Sequence, residues 1–512
     1  MEQVLIDGGG LTRSDVVAVA RGAATVRLTA EALTGIAATR AHIEALADAP
    51  TPTYGISTGF GALAVRHIPQ DRRTDLQRSL IRSHAAGAGP EVEPEVVRAL
   101  MLLRLRTLAT GRTGVRVETA RALAAMLNAG IVPVVHEFGS LGCSGDLAPL
   151  SSIALALMGE GEVHNAEGDR FPAGTALRRA GITPVVLAEK EGLALVNGTD
   201  GMLGMLSLAA ADLAALLDTA DLTAAMSVEA LLGTDRVFAT DLQALRPHPG
   251  QAVSAARIAA LLAGSGIVAS HRGPEDTRVQ DAYSLRCAPQ VHGAARDTLA
   301  HAETVADREL TAAIDNPVVL PDGRVESNGN FHGAPVAYVL DFLAIPVADV
   351  ASMAERRTDR MLDATRSHGL PPFLAADPGV DSGHMIAQYT QAAVVSELKR
   401  LAAPASVDSI PSSAMQEDHV SMGWSAARKL RRAIDGLTTV LAVELLTAAR
   451  ALDLRAPLTP SSATGAARDL LRQTVPGPGP DRHLAPEIAA AEALVRSGAL
   501  LSRTEEATRR HL

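Results

Sequence analysis

Aromatic side chains are scarce: one Trp, four Tyr and seven Phe amount to 2% of 512 residues. Ala and Leu abound instead, which favours helix over sheet. Cysteine is scarcer still, with Cys143 and Cys287 alone. Two thiols build neither a disulfide framework nor a cysteine metal site, and they fit a reducing cytoplasm. Basic residues are outnumbered, 47 Lys and Arg against 57 Asp and Glu, for a net charge of -10. That balance argues against a general nucleic-acid binder and leaves room for a small anionic substrate held by a local Arg. No run of about 18 uncharged apolar residues occurs, so no membrane span is expected. The opening Met1-Glu2-Gln3-Val4-Leu5-Ile6-Asp7 lacks a basic region and a long apolar run, so it is not expected to be a targeting segment.

Hydrophobic residues make up 47% of the chain, enough for a large core and incompatible with disorder. Apolar residues recur at helical spacing over 97–108, 117–127, 201–234, 303–311, 334–367, 384–402 and 424–453. In 201–234, Leu203, Leu206, Leu213, Leu216 and Leu217 suit a helix buried in a bundle. A kink is expected near Pro346, Thr29 stands where a helix cap would, and Pro321-Asp322-Gly323 reads as a hairpin turn. Residues 160–188 are polar and irregular, with Gly168, Pro172 and Pro184, and are expected at the surface. Residues 457–480, rich in Pro, Gly and Ser, are expected to form a loop before a short helical tail. The expected fold is all-α, a long-helix bundle forming one unit over 1–512. Within it, 1–200 is a smaller loop-rich section, 201–453 the central bundle, and 454–512 a loop with short helices.

A few polar stretches stand out. Gly139-Ser140-Leu141-Gly142-Cys143-Ser144-Gly145-Asp146-Leu147-Ala148-Pro149-Leu150 places three glycines within seven residues ahead of an apolar run. It reads as a tight turn entering a helix, with Asp146 at the capping position and Pro149 tolerated in the first turn. Tyr54-Gly55-Ile56-Ser57-Thr58-Gly59-Phe60-Gly61 is a glycine loop, and taken alone an ordinary one. His84 follows Ser83 on an apolar helix, where a lone histidine is usually a core residue. Asn197-Gly198-Thr199-Asp200 is the punctuation of a helix end. Gln280, Tyr283, Arg286 and Gln290 crowd long polar groups onto one segment, although packing or a surface ion pair accounts for any one alone. Phe331 lies in Gly329-Asn330-Phe331-His332-Gly333, and Glu417 in Gln416-Glu417-Asp418-His419. Glu417 and His419 lack the further partners of a metal site, so no metal is expected. Glu355-Arg356-Arg357 reads as a solvated ion-pair cluster.

These stretches, in this order, resemble the histidine/phenylalanine/tyrosine ammonia-lyase family over residues 5–450. The central turn matches G-S-x-G-A-S-G-D-L-x-P-L, with Cys143 in place of Ala. Tyr54 opens a match to Y-G-x-x-T-G-F-G; 279–290 matches V-Q-D-x-Y-S-x-R-C-x-P-Q, 329–332 G-N-F-H, and 416–419 Q-E-D-H. The resemblance implies an all-α lyase whose electrophile is built from the chain. Cys143, Ser144 and Gly145 would cyclise, the Gly145 nitrogen attacking the Cys143 carbonyl carbon with loss of two waters. The product is 4-methylideneimidazol-5-one (MIO), so no dissociable cofactor is expected. Proximity replaces a bimolecular encounter, and the Cys143 side chain takes no part in ring closure.

The resemblance further implies roles for single residues. Tyr54 is an acid/base or hydrogen-bonding group, and Tyr283 the base that removes a β-proton. Arg286 and Asn197 hold the substrate carboxylate, and Gln280 and Phe331 belong to the binding pocket. Ser83-His84 and Glu417 match the histidine branch; tyrosine lyases carry His-Leu and many phenylalanine lyases Phe-Leu at the former place, and both typically Gln at the latter. One imidazole can pair with another as donor or acceptor, and a carboxylate favours a cationic or N–H-donating substrate. The implied reaction eliminates ammonia from L-histidine to give trans-urocanate, the first step of histidine breakdown. The implied protein is a cytoplasmic homotetramer with shared active sites and no membrane or nucleic-acid partner. Asp200 stands where the family has Gln.

A tyrosine or phenylalanine ammonia-lyase, or a 2,3-aminomutase, of the same family is the alternative; Ser83-His84 and Glu417 speak against it. The fumarase/argininosuccinate lyase group also has long helices. Ser412-Ser413-Ala414-Met415 resembles its G-S-S-x-M-P-x-K-x-N loop, but Gln416 replaces the Pro, and the Lys and Asn are missing. An inactive helical scaffold would keep Ser144 unmodified.

Overall fold

The structure is a computed structural model describing residues 2–48, 53, 55–59, 66–273, 276 and 279–509. Helices dominate these residues, and strands pair only in twos and threes. Two compact units interleave along the chain. One comprises Met1–Ala211, Glu303–Asp341 and Pro404–Arg428; the other comprises Asp212–Ala302, Phe342–Ala403 and Lys429–Leu512.

The first unit opens on a parallel strand pair, Glu2–Ile6 with Ala24–Leu28. Thr12 starts the helix between them through a capping box with Asp15. Thr29 caps Ala30–Ala47 as expected, accepting from the Ala32 N–H. Pro94–Ala109 is buried on nearly all sides, Arg104 included, and a buried guanidinium needs partners. Arg104 Nε donates to Asp200 Oδ2 at 3.1 Å and NH1 to the Ala194 carbonyl at 2.9 Å. Asp200 opens the helix Asp200–Ala230. The residue that departs from the family pattern is thus the counter-charge of a buried arginine.

Asp146 stands at the start of Leu147–Leu157, but its side chain makes no cap there. Its Oδ2 accepts from the Gly201 N–H at 2.8 Å and the Met202 N–H at 3.1 Å, and its Oδ1 from Ser140 Oγ at 2.9 Å. The expected local cap is a long-range one. The carboxylate satisfies two orphan donors, and meets the positive end of the dipole, at the start of another helix.

Expectation and structure agree on Met385–Leu401, on Ala334–Leu362 with Pro346 inside it, and on Gly423–Leu454. A hairpin pairs Val318–Val319 with Val325–Glu326 around the Pro321-Asp322-Gly323 turn. The expected short helix at 303–311 is the end of a longer one, Ala288–Glu309. Residues 160–188 are more regular than expected, with strands Glu162–His164 and Arg170–Pro172 and the helix Ala173–Arg179. The 457–480 stretch is not all loop. Ser461 caps a helix, Ser462–Leu471, that buries Ala463, Thr464, Ala467 and Leu471. The small residues read as loop material were its packing face. Two helical tail segments follow, Leu484–Arg496 and Ala499–Arg509.

In the second unit, the expected solvated cluster divides: Arg356 is exposed, while Glu355 and Arg357 are buried. At 3.6 residues per turn, neighbouring residues point to different faces. Arg357 NH2 donates to Glu444 Oε2 at 3.0 Å, and Glu444 also accepts from Thr223 Oγ1 at 2.7 Å and Ser227 Oγ at 2.8 Å.

Two stretches, Glu191–Ala230 and Ala334–Leu362, are long and apolar enough to cross a membrane. This qualifies the expectation from uncharged runs, since each tolerates a few charges. Their most apolar windows are 78% and 61% buried within the chain, as in core helices.

Two outcomes follow from these buried groups. Glu444→Ala leaves Arg357 buried and unpaired, so it is expected to lower stability by about 3–5 kcal/mol; unfolding indistinguishable from wild type in denaturant titration would contradict that. Burial pushes the Asp146 carboxyl up to about 7, against its Met202, Ser140 and Gly201 donors. The unfolded chain releases this proton near 3.8, so the contribution to stability is present below that pH and lost as pH rises through about 7. Asp146→Asn cannot ionise. The stability difference, wild type minus variant, is therefore expected to fall across that window; a difference independent of pH would contradict the assignment.

Candidate active site

In the first unit the glycine turn has Gly142 at φ +67° and Gly145 at φ +88°, a region glycine occupies without penalty. A Cβ on Gly145 would collide with the backbone of Gly198. The Asp146 N–H donates to the Gly198 carbonyl at 2.7 Å, holding the two segments together. Position 145 therefore demands glycine twice, for its dihedral and for the room.

One carboxylate grips this turn. Ser144 Oγ donates to Glu417 Oε1 at 2.8 Å, and Cys143 Sγ donates to Glu417 Oε2 at 3.0 Å. Ser412 Oγ adds a third bond to Oε2 at 3.3 Å. Burial, with Glu417 beside it, pushes the Cys143 thiol up to about 12, so it stays an S–H donor. The 412–417 loop is closed by paired backbone bonds between Ser412 and Glu417. Ser413, Ala414 and Met415 all have positive φ, between 52° and 68°. Such conformations in non-glycine residues store strain, which gathers at functional sites.

His84 ends the helix Arg73–His84, its Nδ1 3.0 Å from Ser83 Oγ. Burial lowers its pKa, although Glu417 pulls the other way. The neutral ring then offers one donor and one acceptor. Asn197 follows the short helix Glu191–Val196; its Nδ2 donates to the Asn316 carbonyl at 2.8 Å, while its Oδ1 is buried without a hydrogen-bond partner among the described residues. The Asn316 carbonyl fixes which way the amide points, so the free atom is an acceptor. Behind it, Lys190 and Asp315 form a fully buried ion pair, and Asp315 Oδ1 accepts from the Asn316 N–H at 2.8 Å. Phe331 is half-buried in the segment that meets the turn where the Gly333 N–H donates to the Gly142 carbonyl at 3.0 Å. The structure thus gathers Cys143, Ser144 and Glu417 by direct contact, and ties Asn197 and the Phe331 segment to the same framework.

In the second unit Gln280, Tyr283 and Arg286 line one cavity of about 450 Å³, with Asp281, Arg360 and His368. The Arg286 guanidinium lies over the Tyr283 ring, 4.8 Å from its centre, a cation–π arrangement. Arg286 Nε finds no hydrogen-bond partner among the described residues, which leaves an N–H for a carboxylate. Tyr54 lies outside the described residues.

Sequence reasoning missed Ser412 and Ser140 as supports. In the sequence Ser412 stands out only within a rival family's motif, and Ser140 only within a turn. It also could not place Glu417 on Ser144, because 273 residues separate them.

Comparison with known proteins then bears on the whole chain. A family model for aromatic amino acid lyases matches residues 11–473. A histidine ammonia-lyase of Streptomyces avermitilis is 66% identical over 509 residues, 99% of each chain. Among solved structures, a histidine ammonia-lyase from Trypanosoma cruzi superposes with a TM-score of 0.90 at 39% identity, covering 99% of this chain and 95% of that one. A tyrosine aminomutase from Streptomyces globisporus gives 0.92 at 38% identity, covering 98% of both. By the match across nearly its full length, this chain belongs to the aromatic amino acid lyase family.

Proposed function

We propose that this chain is a histidine ammonia-lyase, eliminating ammonia from L-histidine to give trans-urocanate. The observation that carries the substrate choice is Glu417, whose carboxylate lies 2.8 Å from Ser144 Oγ. Its charge also reaches His84, so a carboxylate and a neutral imidazole stand near the reactive tripeptide. The Streptomyces relative carries the same activity in its name.

The prosthetic group of this reading is MIO, made from Cys143-Ser144-Gly145. The local residues fit it: Gly145 is held in a conformation and a space that only glycine satisfies, and the hydroxyl to be lost is already hydrogen-bonded to a carboxylate. When formed, MIO supplies an electrophile that activates a poor amine leaving group.

The chain's own residues do the rest. Arg286 takes the substrate carboxylate through its unpaired N–H. Tyr283, beneath that guanidinium, removes the β-proton. Glu417 and His84 recognise the imidazole, one as acceptor and the other as donor or acceptor. The free Asn197 Oδ1 accepts from an N–H. Gln280 and Phe331 also bind the substrate, and Tyr54 supplies a further acid/base group. The enzyme works as a cytoplasmic homotetramer with sites shared between subunits. In support, Phe342, Ile345, Ile386 and Tyr389 are 47–62% exposed on helices of the second unit, large apolar side chains that a second copy would cover.

Purified protein offered L-histidine, L-tyrosine and L-phenylalanine in parallel is expected to release a near-ultraviolet-absorbing acid, urocanate, from histidine alone. Turnover of tyrosine or phenylalanine instead would overturn the substrate assignment and leave the family intact. Tyr283→Phe is expected to lower kcat by about 10²–10⁴-fold with KM little changed. A kcat near wild type would remove Tyr283 as the base.

A further inference from the structure

Glu417 holds the tripeptide through its first two residues. Both its oxygens are engaged, Oε1 by Ser144 Oγ at 2.8 Å and Oε2 by Cys143 Sγ at 3.0 Å. A carboxylate needed only for an incoming imidazole has no reason to touch the one hydroxyl that ring formation must expel. We infer that Glu417 is also the proton donor for the dehydration of Ser144, a maturation role beyond substrate recognition. The inference rests on the reading of Cys143-Ser144-Gly145 as the source of MIO.

The bookkeeping of atoms defines the task. Ring closure joins the Gly145 nitrogen to the Cys143 carbonyl carbon; the carbonyl oxygen leaves as the first water with the amide hydrogens of Gly145 and Ser144, and a C=N bond forms from that carbon to the Ser144 nitrogen. The second water takes the Cα hydrogen and the Oγ hydroxyl of Ser144. When the Cβ–Oγ bond breaks, its electron pair leaves on oxygen, and hydroxide is a poor leaving group near neutral pH. Glu417 Oε1, 2.8 Å from Oγ, delivers a proton to it as that bond breaks. The electron pair of the Cα–H bond becomes the new Cα=Cβ bond. The proton released from Cα passes to solvent, from which the carboxylate is reprotonated, so no oxidant or co-reactant is consumed.

The surroundings suit this role. Glu417 is fixed by Ser412 Oγ at 3.3 Å and by the loop whose residues 413–415 have positive φ. The Cys143 thiol is a donor, not a competing base at neutral pH. Once Oγ has left, Cys143 and Ser412 still anchor Oε2, and Oε1 is released to accept from a substrate N–H. One carboxylate serves maturation first and recognition afterwards.

The test is intact mass, followed over time after synthesis of the full chain, with circular dichroism to confirm folding. Wild type and Cys143→Ala are expected to lose two waters. Glu417→Gln is expected to retain the Ser144 water, its maturation slowed by about 10²-fold or more. Loss of both waters by Glu417→Gln at the wild-type rate would overturn the inference. Glu417→Asp keeps an acid but withdraws it by one methylene, and is expected to mature about tenfold more slowly or worse. A wild-type rate there would overturn the inference even if Glu417→Gln failed to fold. A wild-type chain that keeps its full mass would instead defeat the MIO reading itself, and this inference with it.

Discussion

The close approach of two backbone segments governs the first unit. Gly145 lies against Gly198 with no room for a Cβ, and the Asp146 N–H ties the pair through the Gly198 carbonyl. Asp146 then carries the constraint outward, since its carboxylate accepts from the first turn of Asp200–Ala230 and from Ser140. Moving that helix moves the turn. A bent peptide pressed on a fixed neighbour is pre-organised for an intramolecular reaction, because its geometry is set by folding and not by chance encounter.

Buried charge does the positioning that aromatic packing does elsewhere. Arg104 with Asp200, Lys190 with Asp315 and Arg357 with Glu444 are ion pairs almost wholly removed from water. Such pairs contribute little net stability against an apolar alternative, but losing one partner is severe. Their use here is directional. Arg104 reaches the carbonyls of Ala194 and Asn197, and Asp315 holds Asn316, whose carbonyl orients the Asn197 amide. An acceptor with no partner is left in a buried place, where an unmet acceptor costs free energy until something offers it a hydrogen.

Much of this was legible in the sequence, and most of the failures share one physical cause. Periodic Leu and Ala gave the long helices, and Thr29 gave a cap because capping is local, three residues from cap to donor. The glycine turn stands out in the sequence through its resemblance to the lyase family's motif, not through local physics alone. Misreadings came where partners are distant in sequence. Asp146 looked like a local cap and serves a helix 55 residues on. Glu355-Arg356-Arg357 looked solvated until Glu444, 87 residues away, supplied a buried counter-charge for Arg357. Asp200 departs from the family pattern because it answers Arg104, 96 residues away. The helix at Ser462–Leu471 was hidden by its small residues, which read as loop but pack as core.

The most direct measurement is a peptide-resolved mass spectrum of the purified wild-type chain. The fragment containing Cys143, Ser144 and Gly145 is expected to be lighter than its sequence by two waters, with every other fragment at full mass. A tripeptide fragment at full mass, in protein that turns over L-histidine, would contradict the claim that this turn is the source of the reactive group.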